Sequence, residues 1–337
     1  MTRELLVVGG GPVGLASAIE ARLGGLAVTL IEPRDGAIDK ACGEGLMPGA
    51  LPLLARLGVD PVGMPLRGVS YRSATAHADH LFAGGPGRGV RRLELHRALS
   101  ARADALGVER VSARVESLSQ DAAGVTVAGI RGSFLIGADG LHSSVRRLVG
   151  LEAPTARARR FGLRQHFHLR PWSDLIEVHW GPRVEAYVTP VSPDTVGIAL
   201  LGPRGTEFSA ALAGIPELGD RLADAAPASS LRGAGPLRQV ATAPSSGRVM
   251  LVGDASGYVD AITGEGLRLG FAQARAAVAS MTGGASYDGE WRRVSRDLRV
   301  LTNGLVRAAA SPARAAIVPA ARALPWLYGG IVERLAR

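Results

Sequence analysis

The chain has 337 residues, 47% hydrophobic and 20% charged, an ordinary globular composition with room for a large core or two connected domains. The formal charge of +9 is carried almost entirely by scattered arginines, Lys40 being the only lysine, and the longest basic cluster, Arg157-Ala158-Arg159-Arg160, has no interleaved aromatics to stack on bases, so nucleic-acid binding is set aside. One cysteine, Cys42, excludes an internal disulfide and a multi-thiolate metal centre, and no run of about 18 apolar residues occurs, so a cytoplasmic protein without metal is expected.

Taken in chain order, residues 4–8 are a short apolar strand, followed by a glycine-rich turn at 9–14, a helix from Leu15 to Leu23 and a second strand from Ala27 to Ile31. Residues 36–50 are glycine-rich and irregular, and a short helix is expected over Leu51–Leu57. Short strands are expected within 66–90, then an amphipathic helix over Leu93–Leu106 with Leu95, Ala98, Leu99 and Ala103 at helical spacing. Strands follow at Val111–Leu118 and Val125–Val127, and Phe134–Gly140 reads as a buried strand ending in a turn.

From about 155 to 242 the pattern changes to period-two runs, at Leu163–Leu169, Ile176–Trp180, Val184–Val188 and Val196–Leu200, which predict an antiparallel meander. A buried strand returns at Val249–Asp254, and a long helix begins near Gly264 and ends near Met281. The tail is mostly helical, with breaks expected at Pro312, Pro319 and Pro325.

The first βαβ unit carries a dinucleotide fingerprint at Gly9, Gly11 and Gly14, with Pro12 and Val13 inside it. Gly9 permits the tight turn, Gly11 lets the backbone approach a pyrophosphate, and Gly14 lets helix and strand pack closely with the helix N-terminus toward the phosphates. Glu32 ends the second strand, where a carboxylate can accept hydrogen bonds from a ribose diol. These residues leave NAD and FAD both open.

Three later segments carry a resemblance. Leu135-Ile136-Gly137-Ala138-Asp139-Gly140-Leu141-His142-Ser143-Ser144-Val145-Arg146 is similar to the Asp-Gly motif of flavoproteins like p-hydroxybenzoate hydroxylase. Arg248-Val249-Met250-Leu251-Val252-Gly253-Asp254-Ala255 resembles their Gly-Asp motif, whose Asp holds the ribityl chain. The pattern Val90-x-Arg92-x-x-Leu95-x-x-x-Leu99 resembles the helix whose Arg reaches the flavin phosphates or ribityl chain. The motifs occur in family order between residues 5 and 281.

The resemblance implies an α/β fold: a Rossmann-like FAD-binding domain of the glutathione-reductase type over 1–65, 88–150 and 243–285. An inserted antiparallel-sheet substrate domain would take 66–87 and 151–242, and a C-terminal helical segment 286–337. It also implies cofactor contacts at Gly9, Gly11, Pro12, Val13, Gly14, Glu32, Arg34, Cys42, Arg92, Asp139, Gly253, Asp254, Gly264, Gly266 and Leu267. Gly264-Glu265-Gly266 opens the long helix, so its unpaired N–H groups and positive dipole end would face the flavin N1–C2=O edge. Cys42, Gly264, Glu265 and Gly266 are therefore the candidates nearest the reaction.

Within the family, Asp39-Lys40-Ala41-Cys42-Gly43-Glu44-Gly45-Leu46 resembles the Lys-x-Cys-Gly segment of geranylgeranyl reductases, while their aromatic motif is reduced here to Tyr187-Val188-Thr189-Pro190. The halogenase Trp-rich motif and a second lysine are missing. Two activities are implied: an NAD(P)H-driven monooxygenase that uses O2 on a hydrophobic small molecule, aromatic, polyketide or isoprenoid, or an ene-reductase acting on a C=C bond. No second glycine fingerprint exists, and the resemblance implies that NAD(P)H binds transiently at the surface. A non-catalytic flavin-binding scaffold is the third and weakest reading.

Arg164, His179 and Tyr187 are the candidate substrate contacts, with His166, His168 and Trp180 on the same meander. Cys42 is either a reactive wall of the site or a small buried hydrophobe, and Lys40 is expected as a solvated loop charge rather than a phosphate or substrate contact. The stretch Ile317–Leu335 is expected to cover the substrate cavity rather than lie on a membrane interface, because prolines interrupt its amphipathic face. Oligomeric state is open.

Overall fold

The computed structural model describes residues 4–154 and 160–337; Arg157, Ala158 and Arg159 of the basic cluster lie outside the described residues. The strands Glu4–Val8 and Ala27–Ile31 are short, apolar and bounded by glycine turns, and they pair in parallel around the helix Pro12–Leu23. That helix starts three residues before the expected Leu15, because Pro12 at its first position has no N–H to lose and a preset φ.

The sheet they begin has six strands, in the order Ser245–Ser246, Val249–Leu251, Phe134–Gly137, Glu4–Val8, Ala27–Ile31 and Glu109–Val111. All pairs but the first are parallel. The register sets Val8 beside both Gly137 and Ile31, and Gly137 beside Leu251. Four strands thus end at one level, and the loops that follow them all leave the same edge of the sheet, where an open α/β sheet binds its ligand. The helices Pro12–Leu23, Arg92–Ala105 and Gly266–Met281 cover one face, with Leu15, Ile19, Leu99 and Phe271 in the core between.

A second, seven-stranded sheet contains Arg232–Ala234, Arg160–His168, Thr195–Pro203, Glu185–Ser192, Leu175–Trp180, Gly68–Arg72 and His77–Leu81, in that order. The meander strands within 160–234 pair antiparallel as expected, but the sheet they join is mixed: Leu175–Trp180 also pairs in parallel with Gly68–Arg72, which arrives from a distant part of the chain. Its alternating residues serve two faces. One is covered by the short helices Phe208–Ala213 and Pro216–Leu222, through Phe208, Leu212 and Leu218. Neither helix was anticipated, since Gly214 and Pro216 leave each only six or seven residues, too short for a clear period.

Val111–Leu118 is not one strand. Glu109–Val111 belongs to the six-stranded sheet and Leu118–Gln120 to a small antiparallel one; between them Ala113 and Val115 keep the alternation by packing on the core without a ladder. In the tail, helices span Tyr287–Ala309, Ile317–Ala323 and Pro325–Ala336. Pro312 and Pro325 each open a helical segment, but Pro319 sits in the first turn of its helix, where its missing N–H is no loss, and breaks nothing. Arg314 fastens this tail to the sheet through the fully buried Glu185 and the Gly181 carbonyl. No single helix among the described residues is long and apolar enough to cross a membrane.

Candidate functional site

The turn after Glu4–Val8 is as tight as its glycines allow. Gly9 has φ +109°, and a Cβ there would lie 2.5 Å from the Ala138 carbonyl oxygen; a Cβ on Gly14 would lie 1.8 Å from the Gly9 oxygen. Larger residues at either place would push the turn off the strand end. Gly11 differs: a Cβ on it would meet only the Arg92 guanidinium, at 3.9 Å. Its open side faces a cavity of about 850 Å³.

Glu32 closes one end of that cavity. One carboxylate oxygen accepts the Gly10 N–H at 2.7 Å and the other the Arg34 Nε at 2.7 Å. Burial raises the carboxyl's pKa, but these hydrogen bonds outweigh it and hold Glu32 below its ordinary value, so it presents a charge. Arg92, the first residue of its helix, also lines the cavity, and its buried Nε has no hydrogen-bond partner.

The Asp-Gly segment turns at Gly140 and enters the helix Ser144–Leu148. Asp139 accepts from the Ser143 hydroxyl at 2.5 Å and the Val145 N–H at 3.1 Å, and burial raises its pKa. Arg146, fully buried, donates to the Leu141 carbonyl at 2.9 Å and the Ala255 carbonyl at 3.2 Å. It therefore ties the Asp-Gly turn to the Gly-Asp turn across the sheet edge. Asp254, beyond Gly253, lines the cavity, and Lys40 Nζ reaches within 3.7 Å of it. Lys40 is thus a wall of the site rather than the solvated loop charge expected.

The loop 38–46 is locked from behind. Asp39 pairs with Arg164, and Glu44, at φ +60°, accepts the Arg92 N–H at 2.8 Å and lies 2.6 Å from His166 Nε2. His166 Nδ1 meets Ser229 Oγ at 2.8 Å. Cys42 lines the cavity half-buried, and its thiol is pushed up by burial, which keeps it protonated at neutral pH.

The same cavity includes an apolar chamber walled by Tyr71, Ile176, Tyr187, Tyr258 and, from the C-terminal helix, Val332 and Leu335. The Tyr187 hydroxyl donates to the Ile262 carbonyl at 2.9 Å, and burial raises the pKa of Tyr71, Tyr187 and Tyr258, so all three are neutral. Gly264, Gly266 and Leu267 also line the cavity, at the start of the helix Gly266–Met281.

One cavity therefore brings together Gly9, Gly11, Pro12, Val13, Glu32, Arg34, Cys42, Arg92, Asp139, Gly253, Asp254, Gly264, Gly266, Leu267 and Tyr187. Gly14 lies behind it, in the helix–strand contact. Glu265 turns inward, buried beside Arg268. Arg164 is buried behind the 38–46 loop and His179 is on the opposite face of the sheet, held by Glu177 at 3.0 Å; neither faces the chamber. His166 is likewise a support for Glu44, not a cavity wall. Sequence reasoning did not single out Glu44, Tyr71, Tyr258 or Arg146, though Glu44 and Arg146 lie in segments carrying the resemblance.

The cradle fits a flavin nucleotide: Gly11 is open, Arg92 has an uncommitted buried donor, and the cavity runs unbroken from Glu32 to Gly266. Residues 2–179 match the FAD binding domain family; the chain belongs to that family. It is 27% identical to the dialkyldecalin synthase of Streptomyces rugosporus over 81% of this chain and 64% of that protein. It is 32% identical to the FAD-dependent monooxygenase OpS4 of Beauveria bassiana over 45% of this chain and 40% of that one. The menaquinone reductase of Mycolicibacterium smegmatis is 26% identical over 86% and 79%. The chain thus spans less than two thirds of the length of the first two relatives. The structure of the flavin-dependent brominase Bmp2 covers the whole chain and 94% of its own length with TM-score 0.79 and 18% identity, a likeness of fold.

Proposed function

We propose that the chain is an FAD-dependent, NAD(P)H-driven monooxygenase acting on a hydrophobic small molecule, in a cytoplasmic setting. One observation carries the reading: the dinucleotide cradle and the tyrosine-walled chamber are halves of a single cavity, so a nucleotide held at Glu32 has its far end at the mouth of an apolar pocket. The relative named as an FAD-dependent monooxygenase supports it.

In this reading the N–H groups of the 9–14 turn and the Arg92 guanidinium hold the phosphates, Glu32 takes the ribose hydroxyls, and Asp254 takes the ribityl chain. FAD supplies the redox chemistry, electrons passing from NAD(P)H to O2. The amides at the start of the helix Gly266–Met281 offer fixed donors and a positive dipole end to negative charge developing beside them. Tyr71, Tyr187 and Tyr258 orient the substrate by shape and exclude water. The test is turnover: NAD(P)H oxidation by the purified holoenzyme over a panel of hydrophobic substrates, with product carrying oxygen from isotopically labelled O2. Peroxide as the sole oxygen product overturns the reading.

The relative named menaquinone reductase, matched over most of both chains, and the Asp39–Leu46 segment favour a second reading, hydride delivery to a C=C bond. Turnover that continues without O2 selects it over the first.

A further inference from the structure

We propose that the outer face of the helix Pro325–Ala336 docks on an anionic lipid bilayer, seating the protein on a membrane surface without crossing it. The helix has two apolar faces. Tyr328, Val332 and Leu335 point inward, and the last two wall the cavity. Trp326, Leu327 and Ile331 point outward, 73%, 43% and 37% exposed, and Leu324 just before them is 41% exposed. A soluble surface scatters its exposed apolar side chains singly; here four fall within eight residues, one of them a tryptophan, the side chain that favours the bilayer interface.

The face is rigidly presented. Glu333 meets His80 at 2.8 Å, the Tyr328 hydroxyl donates to the Val69 carbonyl at 3.0 Å, and Arg314 anchors the preceding segment on Glu185. Pro312–Ala323 and Pro325–Ala336 meet at a bend of 101°, so the exposed stretch forms a corner of the molecule and not a span.

Charge decides which occupant fits. Residues 287–337 hold nine arginines against Asp288, Glu290, Asp297 and Glu333, a net +5 of the chain's +9. Arg322 and Arg307 are exposed, and Arg334, one turn from Ile331, is exposed and paired with Asp297, one turn from the exposed Val300. A second copy of the chain would bring this charge against itself. A bilayer rich in anionic headgroups neutralises it while taking the apolar side chains into its interface. The proposal concerns binding alone and stands whether or not the cavity takes a lipid-soluble substrate.

The experiment is co-sedimentation of the holoenzyme with phosphatidylglycerol–phosphatidylcholine vesicles and with pure phosphatidylcholine vesicles, at low and high salt. Binding is expected to the first, weakened by salt, and much weaker to the second. Trp326→Ser with Ile331→Ser, both on the surface, should lower binding at least about tenfold while leaving the flavin spectrum unchanged, and Trp326→Phe should retain most of it. The proposal is overturned if the wild-type protein stays in solution over anionic vesicles, or if the double variant binds as tightly as wild type. It is equally overturned by a dimer that Trp326→Ser dissociates while vesicles are ignored.

Discussion

Glu44 Oε2 and His166 Nε2 lie 2.6 Å apart with both side chains all but excluded from solvent, and the other oxygen of Glu44 accepts the amide of Arg92. A single carboxylate thus joins the 38–46 loop, the seven-stranded sheet and the start of the helix that lines the nucleotide cradle. Replacing it by Ala strands two buried donors. We expect Glu44→Ala to cost about 3 kcal/mol in urea unfolding and to weaken FAD binding, because Arg92 loses its seat. An unchanged flavin Kd alongside lowered stability would show that the Arg92 position does not matter to the cofactor.

Glu32 offers a more local test. Its carboxylate is charged and already fixed by Gly10 and Arg34. Glu32→Gln keeps the size and loses the charge, and Glu32→Ala loses both. Losing hydrogen bonds from a charged acceptor to the ribose should cost about 1.5–3 kcal/mol, roughly ten- to a hundredfold in Kd by fluorescence titration of the apoprotein. A change under threefold for Glu32→Ala would remove Glu32 from the nucleotide site.

The two faces of the seven-stranded sheet separate Tyr187 from His179. Tyr187→Phe removes the hydrogen bond to the Ile262 carbonyl that steadies the passage to Gly264, and should cost about 1 kcal/mol of stability and raise KM for the hydrophobic substrate. His179→Gln alters a contact with Glu177 away from the chamber and should leave KM within experimental error. The reverse pattern would place the substrate on the wrong side of the sheet.

How much of this was legible beforehand follows from range. Gly9, Gly11, Gly14 and Glu32 work through backbone turns and a fixed offset along one βαβ unit, so spacing alone reveals them. The strands Leu175–Trp180 and Thr195–Pro203 announce themselves by alternation. Alternation does not say which face meets the cavity, and that is why His179 looked like a substrate contact: the helices Phe208–Ala213 and Pro216–Leu222, too short to leave a period, cover the face on which His179 lies. Arg164 shares the cavity face, opposite Ala199, and is covered there by the 38–46 loop through Asp39. Lys40 with Asp254 and Glu44 with His166 are 214 and 122 positions apart, and no local pattern links such partners.

Glu265 precedes the helix Gly266–Met281, buried beside Arg268 with one carboxylate oxygen unpartnered. Burial pushes its pKa up to about 7 from the ordinary 4.5, against the pull of Arg268. The folded chain therefore holds this proton more tightly than the unfolded one. Its stabilising effect is full below about pH 4.5 and is lost as pH rises to about 7, roughly 3 kcal/mol across that window. Glu265→Gln, uncharged at every pH, should lack this slope and unfold at a higher urea concentration than wild type at pH 8. The slope should persist in apoprotein, because it belongs to burial and not to the cofactor. Parallel stability curves for the two proteins between pH 4.5 and 7, from urea titrations at half-unit steps, would mean that Arg268 keeps Glu265 charged throughout.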